Sequence, residues 1–238
     1  MTVLADEAVA AVLVVPENDW TAISKRVGLA ALASDIASSI QVYLPHFGDL
    51  VAASAIWAST TFPGIVDESR LLAKYCSQAQ SAFGELSRSL QGLGPNDPLP
   101  PAVRTEAQGV IENLAASTAV QDGTCKALFA AVLTFTTVNQ TVDGAIAEYA
   151  RRLGPDWAAI TASTAAVNQA TGRVLGGWQA ITDDIGAIAR GQVPVTTALL
   201  LGLGIDEAIR EWAALERACA DFARLADGQA GYLNGSWL

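Results

Sequence analysis

Apolar residues recur at alternating steps of three and four along most of this chain, and alternation with a period of two is scarce. Five segments share the pattern: residues 19–61, 66–91, 101–149, 160–188 and 208–226. Long apolar stripes near 3.5 residues per repeat are typical of helices that pack side by side at shallow angles. The pattern predicts an all-α fold, an elongated antiparallel bundle of about five long helices.

Proline and glycine mark the breaks between these segments. Pro45 interrupts the first segment and predicts a kink or two separate helices there. Residues 61–64, TFPG, predict a turn, and residues 92–101, GLGPNDPLPP, predict the clearest loop of the chain. Pro101 suits the first turn of the next helix, and Gly123 is a candidate break inside that helix.

A further break is predicted at residues 153–156, LGPD, where we expect one helix to end and the fourth segment to begin. The whole chain, 1–238, is interpreted as one helical-bundle domain. Residues 1–18 would form an N-terminal arm, and residues 228–238 would form an irregular tail.

The apolar stripes predict which side chains form the core. The first stripe includes Leu29, Leu32, Ile36 and Tyr43. The last stripe contains Ala208, Trp212, Leu215, Cys219, Phe222 and Ala226. The six tryptophans lie on stripes or in the tail, and we expect those on stripes to pack in the core.

Glycines are unusually frequent in residues 172–191, GRVLGGWQAITDDIGAIARG. Each interior glycine costs a helix about 1 kcal/mol relative to alanine. Gly172 and Gly176 lie four residues apart, so close approach of another helix would offset the cost, and Trp178 and Trp212 complete this candidate packing site. Two interpretations remain: the glycines accommodate a bulky neighbour, or the helix is built to shift or bend.

Composition narrows the class of partner. Hydrophobic residues make up 51% of the chain and charged residues 16%, enough for a sizeable core. The formal net charge of −10 argues against a nucleic-acid backbone and against electrostatic attraction to anionic lipid. Residues 8–15 form a short apolar run without a preceding basic region, so we expect neither a conventional signal peptide nor a transmembrane helix.

Residues suited to catalysis or metal binding are sparse. Cys76, Cys125 and Cys219 lie far apart and have no metal-type spacing, so we expect buried thiols, with a disulfide between two of them left open. His46 is the only histidine and is expected to pack among apolar neighbours. Asp183 and Asp184 point about 100° apart on a helix, which disfavours a shared metal. We expect no catalytic centre, no cofactor and no small-molecule substrate.

Three tracts carry no formal charge, at residues 50–66, 127–142 and 191–205. Each is short for a membrane-spanning helix. They are either buried bundle core or apolar surface that is stored in the soluble form and later transferred to a membrane or partner. The candidate contact residues are Leu128, Phe129, Val132, Leu133, Phe135, Leu199, Leu200 and Leu201.

Residues 174–188, VLGGWQAITDDIGAI, and 205–225 resemble the C-terminal helices of ClyA-type α-helical pore-forming toxins, of the haemolysin BL, non-haemolytic enterotoxin and xenorhabdolysin-like branch. The residues that match its first helix pattern are Trp178, Ile181, Asp184 and Ile185. Trp212 and Leu215 fit the last helix. The resemblance implies an elongated helical tail, a smaller head with a hydrophobic β-tongue, and membrane permeabilisation after oligomerisation.

The chain departs from that family where the head would be inserted, because residues 153–156 join two segments almost directly. The head is then reduced or absent, and the resemblance implies a soluble component that acts with partner toxin subunits and a target membrane, secreted without an evident signal peptide. The alternative is a cytoplasmic, non-enzymatic helical interaction protein, such as a phasin-like coat, an adaptor or an immunity partner.

Overall fold

A computed structural model of the chain describes residues 17–150, 186, 189–191, 194–202 and 204–233. In this part of the chain every regular element is helical, so the predicted all-α fold is confirmed. The elements in order are α1 (Glu17–Leu32), a 3₁₀ turn (Ser34–Ile36), α2 (Ala37–Gln41), α3 (Phe47–Ile56), a π segment (Trp57–Thr61), α4 (Phe62–Ser89), α5 (Pro101–Ala150), α6 (Thr197–Gly202) and α7 (Ile205–Leu233).

The predicted count of about five long helices is not confirmed, since the described residues contain seven α-helices of very unequal length. The first predicted segment accounts for much of the difference. The segment breaks at two places. The chain leaves the α conformation at Ala33, and it breaks again next to Pro45, where His46 adopts a left-handed φ of 67°.

The predicted turn at residues 61–64 is helical. The chain runs from α3 through the π segment into α4, and the Phe62 N–H donates to the Trp57 carbonyl, five residues back. A proline ring normally clashes with the carbonyl four residues earlier. The wider π turn directly before Pro63 relieves that clash, so the helix continues where the sequence pattern indicates a turn.

The boundaries of the later helices agree better with the sequence pattern. Helix α5 begins at Pro101, as predicted, but runs unbroken to Ala150, so the candidate break at Gly123 is wrong. Helix α7 extends to Leu233 and takes in the first residues of the predicted irregular tail. The predicted stop at residues 153–156 and most of the fourth segment lie outside the described residues.

The chain divides into two compact units. Of the described residues, the first unit contains 68–126 and those from 186 to 221, and the second contains 17–67, 127–150 and 222–233. The three longest helices each contribute residues to both units.

The first unit is built around one apolar cluster in which α4, α5, α6 and α7 all take part. Ser69 contacts Cys219, Tyr75 contacts Trp212, and Ser87 contacts Asp206. Since residue numbers rise along α4 as they fall along α7, these two helices run in opposite directions here. The buried residues of the predicted α7 stripe in this unit are Ala208, Trp212, Leu215 and Cys219, as expected.

The second unit has two smaller apolar clusters. One is rich in aromatic side chains: Trp20 lies 5.3 Å from Phe222 between ring centroids, and Trp57 stacks on Phe135 at 4.3 Å. The other cluster consists of Ala30, Leu50 and Val142 with partly buried neighbours. The described tryptophans, Trp20, Trp57 and Trp212, are all buried, which confirms the expected core packing for these three.

Candidate functional site

The uncharged tract on α5 has two faces. Val132 and Phe135 are buried in the aromatic cluster of the second unit, whereas Phe129 and Leu133 are exposed. The members of each pair are three or four residues apart, so each pair forms a stripe, and the exposed stripe lies beside the core stripe on the helix surface. Val132 and Phe135 could contact a membrane or partner only if the unit opened, while Phe129 and Leu133 are accessible as the protein stands.

Leu128 lies on the same helix and packs against Gly64 of the second unit. A Cβ atom placed on Gly64 would fall 2.7 Å from a Leu128 methyl carbon, so glycine permits this close approach. The close helix packing predicted at Gly172, Gly176 and Trp178 lies outside the described residues.

The three leucines of α6 also differ in burial. Leu200 is fully buried in the core of the first unit, Leu199 is half-buried, and Leu201 is exposed. Trp212, the remaining residue of the predicted packing site, is fully buried edge-on to Tyr75, with ring centroids 5.4 Å apart. The role of these residues as contacts remains a prediction.

The sequence pattern missed a more exposed apolar region at the end of α1 and beyond. The predicted core residues Leu29, Leu32, Ile36 and Tyr43 are exposed, and Val42 beside them is 77% exposed. We call residues 29–43, which carry these five side chains, the apolar segment. The prediction that Leu29, Leu32, Ile36 and Tyr43 line the core is wrong. The buried face of α1 instead ends in Val27 and Ala30, and the chain leaves the α conformation at Ala33, before Ile36 and Tyr43.

A further property of the apolar segment was readable in the sequence. Between Gly28 and Gly48 the only residue with a formal charge at neutral pH is Asp35, apart from the histidine. A surface region of this composition is unusual in a soluble protein, where large exposed apolar patches mark interaction sites.

His46 is exposed at the N-terminus of α3, so the expectation that it packs among apolar side chains is wrong. Its Nδ1 lies 3.0 Å from Oδ2 of Asp49, and both side chains are more than half exposed. The pair stabilises the first turn of α3, where a carboxylate is favourable. Within the described residues, no group of three or more His, Cys, Asp or Glu side chains is placed to hold a metal ion.

Cys76 and Cys219 are free and buried, as expected, and the side chain of Cys125 lies outside what the structure describes. Burial raises the pKa of Cys219 to about 12 and also raises the pKa of Cys76, with the neighbouring Cys219 as the next cause. Because the thiolate is the reactive form, both thiols are unreactive near neutral pH.

The second unit buries a polar set that the sequence did not predict. Arg26 of α1 pairs with Asp143 of α5, and both side chains are less than 15% exposed. Several buried polar atoms have no hydrogen-bond partner among the described residues: Trp20 Nε1, Ser24 Oγ, Ser54 Oγ, Trp57 Nε1, Asn139 Oδ1 and Gln229 Oε1. Buried polar groups usually have partners, so this set marks a less well satisfied core.

The first unit also has an open cleft of about 420 Å³ beside the start of α7. Its floor is apolar, with Leu90, Leu200 and Ile205, and its rim carries Asp206 and Arg210. The Ser87 hydroxyl already donates to Asp206 at 3.2 Å. The lining residues do not form a set of groups with an evident chemical task.

One helical run among the described residues, Phe47–Ser89, is long and apolar enough to cross a bilayer by length and composition. Its most apolar 18 residues have a mean hydropathy of 1.2, and a third of that window is buried. The sequence analysis expected no such helix. A core helix of a soluble protein meets the same criterion, so the run by itself assigns no membrane span.

No protein-family model, curated protein or solved structure matches this chain. The resemblance to pore-forming toxins therefore rests on the helix patterns alone. Of the residues that carry it, Trp212 and Leu215 are buried in the first unit, and Trp178, Ile181, Asp184 and Ile185 lie outside the described residues.

Proposed function

We propose that this chain is a soluble component of a multi-subunit α-helical pore-forming toxin, which acts through association of its helices with partner subunits and a membrane. The observation that carries the proposal is the exposure of many large apolar side chains in an otherwise well-packed helical protein. Ten are exposed among the described residues, and most belong to the second unit. Such side chains gain free energy when a lipid or protein surface covers them.

The proposal includes a bundle of about five long antiparallel helices with a reduced head, as the toxin resemblance implies. It also includes secretion of the chain. The role needs no catalytic centre, metal, cofactor or nucleic acid.

The energetics favour dependence on a partner. Phe129 and Leu133 are available without rearrangement, but Val132 and Phe135 of the same tract are in the core. Exposing the buried stripe costs about as much as its transfer to lipid returns, since both scale with roughly 25 cal/mol per Å² of apolar area. The two terms nearly cancel, so a partner or membrane must shift the balance between the closed and open forms.

Leakage of dye from liposomes and lysis of red cells test the proposal, with the protein alone and with proteins encoded beside its gene. We expect little leakage alone and strong leakage with a partner. Leu133→Glu should reduce partner-dependent leakage, because it places a charge on the exposed apolar stripe. Ser117→Glu, at an exposed position of α5 outside the uncharged tract, is the matched control and should leave leakage unchanged.

Failure to bind any membrane and any of those proteins would reject the toxin function. Retention of the chain inside the producing cell on a granule or a protein partner would then favour the helical interaction protein.

A further inference from the structure

The apolar segment, residues 29–43, contributes almost nothing to the core. Ala30 is its last buried residue, and no residue from Ala31 to Asp49 is buried. The 3₁₀ turn and α2 contain no buried residue at all. The segment therefore adds little to the packing of the second unit.

The segment is nevertheless held in place at both ends. Val27 before it and Ala30 near its start are buried, and Leu50 after it is buried, so the core fixes where the segment begins and where the chain returns. Helix α3 packs against both α1 and α2 within the second unit. The exposed side chains are thus presented by a packed scaffold.

The chemistry of the segment selects a neutral apolar partner. Its five exposed apolar side chains include Val42 and Tyr43, at 77% and 72% exposure, and its only charged residue is Asp35. It has no lysine or arginine with which to bind a phosphate or an acidic protein. The net charge of −10 also opposes binding to an anionic membrane.

A second copy of the chain fits this surface less well than a bilayer does. A standard protein interface uses about 20–30 residues on each side, whereas the segment has fifteen residues and five large exposed apolar side chains. Two chains of net charge −10 also repel each other. A lipid surface imposes neither requirement.

The local backbone suits shallow insertion. Some backbone groups of the segment bond within it or just beyond it: the Ile36 N–H donates to the Ala33 carbonyl, and the Tyr43 and Leu44 N–H groups donate to the Ile40 carbonyl. Each such bond lowers the cost of placing the backbone in lipid. Tyr43 has an apolar ring and a hydroxyl, the combination that is enriched at membrane interfaces.

We propose that residues 29–43 are the segment by which this protein first contacts a zwitterionic phospholipid bilayer, inserting its apolar side chains at the interface. The inference rests on the proposed function for the role of a membrane, and it identifies which part of the chain meets the lipid. It places that contact outside the α5 and α6 residues that the sequence analysis selected.

Flotation of the full-length protein with phosphatidylcholine vesicles tests the segment. Val42→Glu combined with Tyr43→Glu should weaken vesicle binding by about tenfold or more, because charges resist transfer into lipid. Leu71→Glu changes an exposed leucine of α4 outside the segment and should leave binding unchanged. Circular dichroism checks that both variants remain helical. Added phosphatidylserine should weaken binding of the wild-type protein.

Equal binding of the double variant and the wild type would overturn the proposal, as would a wild type that binds no vesicles. Sedimentation gives the second-copy outcome: if the double variant loses a dimer but keeps vesicle binding, the segment is a self-association surface and the proposal is wrong.

A label provides a second readout that does not depend on loss of binding. Val42→Cys in a Cys125→Ser background places an environment-sensitive fluorophore on the segment, since Cys76 and Cys219 are buried. The emission should shift to shorter wavelength with vesicles. An unshifted label on vesicle-bound protein would contradict insertion there.

These experiments separate the inference from the proposed function. Vesicle binding through residues 29–43 without leakage in the presence of any partner would support the segment and reject the toxin. Partner-dependent leakage that the double variant retains in full would support the toxin and reject the segment.

Discussion

The two units are both helical but differ in how they treat buried polar groups. In the first unit the buried residues Ser69, Thr118 and Thr197 each donate to a backbone carbonyl, at 3.1, 3.0 and 2.8 Å. In the second unit Ser24 and Ser54 have buried hydroxyl oxygens without a partner among the described residues. An unsatisfied buried hydroxyl costs about 1–3 kcal/mol. The difference between the units is one of degree, since Thr136 of the second unit donates to the Val132 carbonyl at 3.0 Å and Trp212 Nε1 of the first has no partner among the described residues.

Three further features distinguish the second unit from the first. It contains the buried Arg26–Asp143 pair, the π segment and the apolar segment. The first unit has a single large apolar cluster. Regions with fewer satisfied groups open at lower free energy, and elements that move in function come from such regions. The comparison teaches that, of the two, the second unit is suited to rearrange and the first to remain folded.

The largest expected effect is a loss of folding stability in the first unit at high pH. The thiols of Cys76 and Cys219 have pKa values raised above the ordinary value of 9.0, so the folded state holds these protons more tightly than the unfolded state. Their contribution to stability is complete below pH 9 and is lost as pH rises toward the folded pKa values. By about pH 11 the two thiols together should remove on the order of 5 kcal/mol.

Urea titrations across that pH range measure the loss. The Cys76→Ala, Cys219→Ala double variant is the control and should show a much smaller alkaline loss of stability. The same loss in variant and wild type would show that the thiols do not cause it.

Truncation of the central tryptophan tests how rigid the first unit is. Trp212→Ala should lower the free energy of unfolding by about 3–5 kcal/mol, because it removes a fully buried ring from a close-packed core. Leu71→Ala, at an exposed position of α4, should change it by less than about 0.5 kcal/mol. Urea unfolding followed by circular dichroism gives both values, and equal effects would mean that this core is not closely packed.

The buried ion pair tests the second unit. Asp143→Ala leaves the Arg26 charge uncompensated in a mostly buried site and should cost about 3 kcal/mol or more. Replacing both residues, Arg26→Met with Asp143→Leu, should recover most of that loss because no buried charge remains. If the double variant is as unstable as the single one, the packing around these side chains matters more than their charge.

The smallest effect is the sharpest test of the comparison between the units. Ser69→Ala removes a hydroxyl that donates to the Cys219 carbonyl and should cost about 1 kcal/mol. Ser54→Ala removes a buried hydroxyl without a partner among the described residues and should be neutral or stabilising. Thermal melting of the two variants compares them directly, and a larger loss for Ser54→Ala would reverse the contrast.

Part of the fold was predictable from local rules. The start of α5 at Pro101 and the buried stripe of α7 follow from proline geometry and helical periodicity, which are properties of short stretches of chain. The continuation of α5 past Gly123 was not predictable from local rules. One glycine costs a helix only about 1 kcal/mol, and packing elsewhere along a 50-residue helix outweighs that cost. The helical course of residues 61–64 depends on a π turn that no residue pattern indicates.

The candidate site was less predictable than the fold. An uncharged tract identifies apolar residues but not the face that finds a neighbour, so Phe129 and Val132 were selected together although one is exposed and the other buried. Leu29, Leu32, Ile36 and Tyr43 of the apolar segment were assigned to the core for the same reason.

The sequence by itself determined that this protein is helical, that its long helices carry apolar stripes, and that charge is scarce around residues 29–43. Periodicity and composition suffice for these properties because each depends on neighbours within a few turns. Only the tertiary structure decided which stripes are covered, where Arg26 meets Asp143, and which buried hydroxyls find a carbonyl. The Arg26–Asp143 pair and the bond from Ser69 to the Cys219 carbonyl join residues that are 117 and 150 positions apart, and a local pattern contains no information about which distant partner is present.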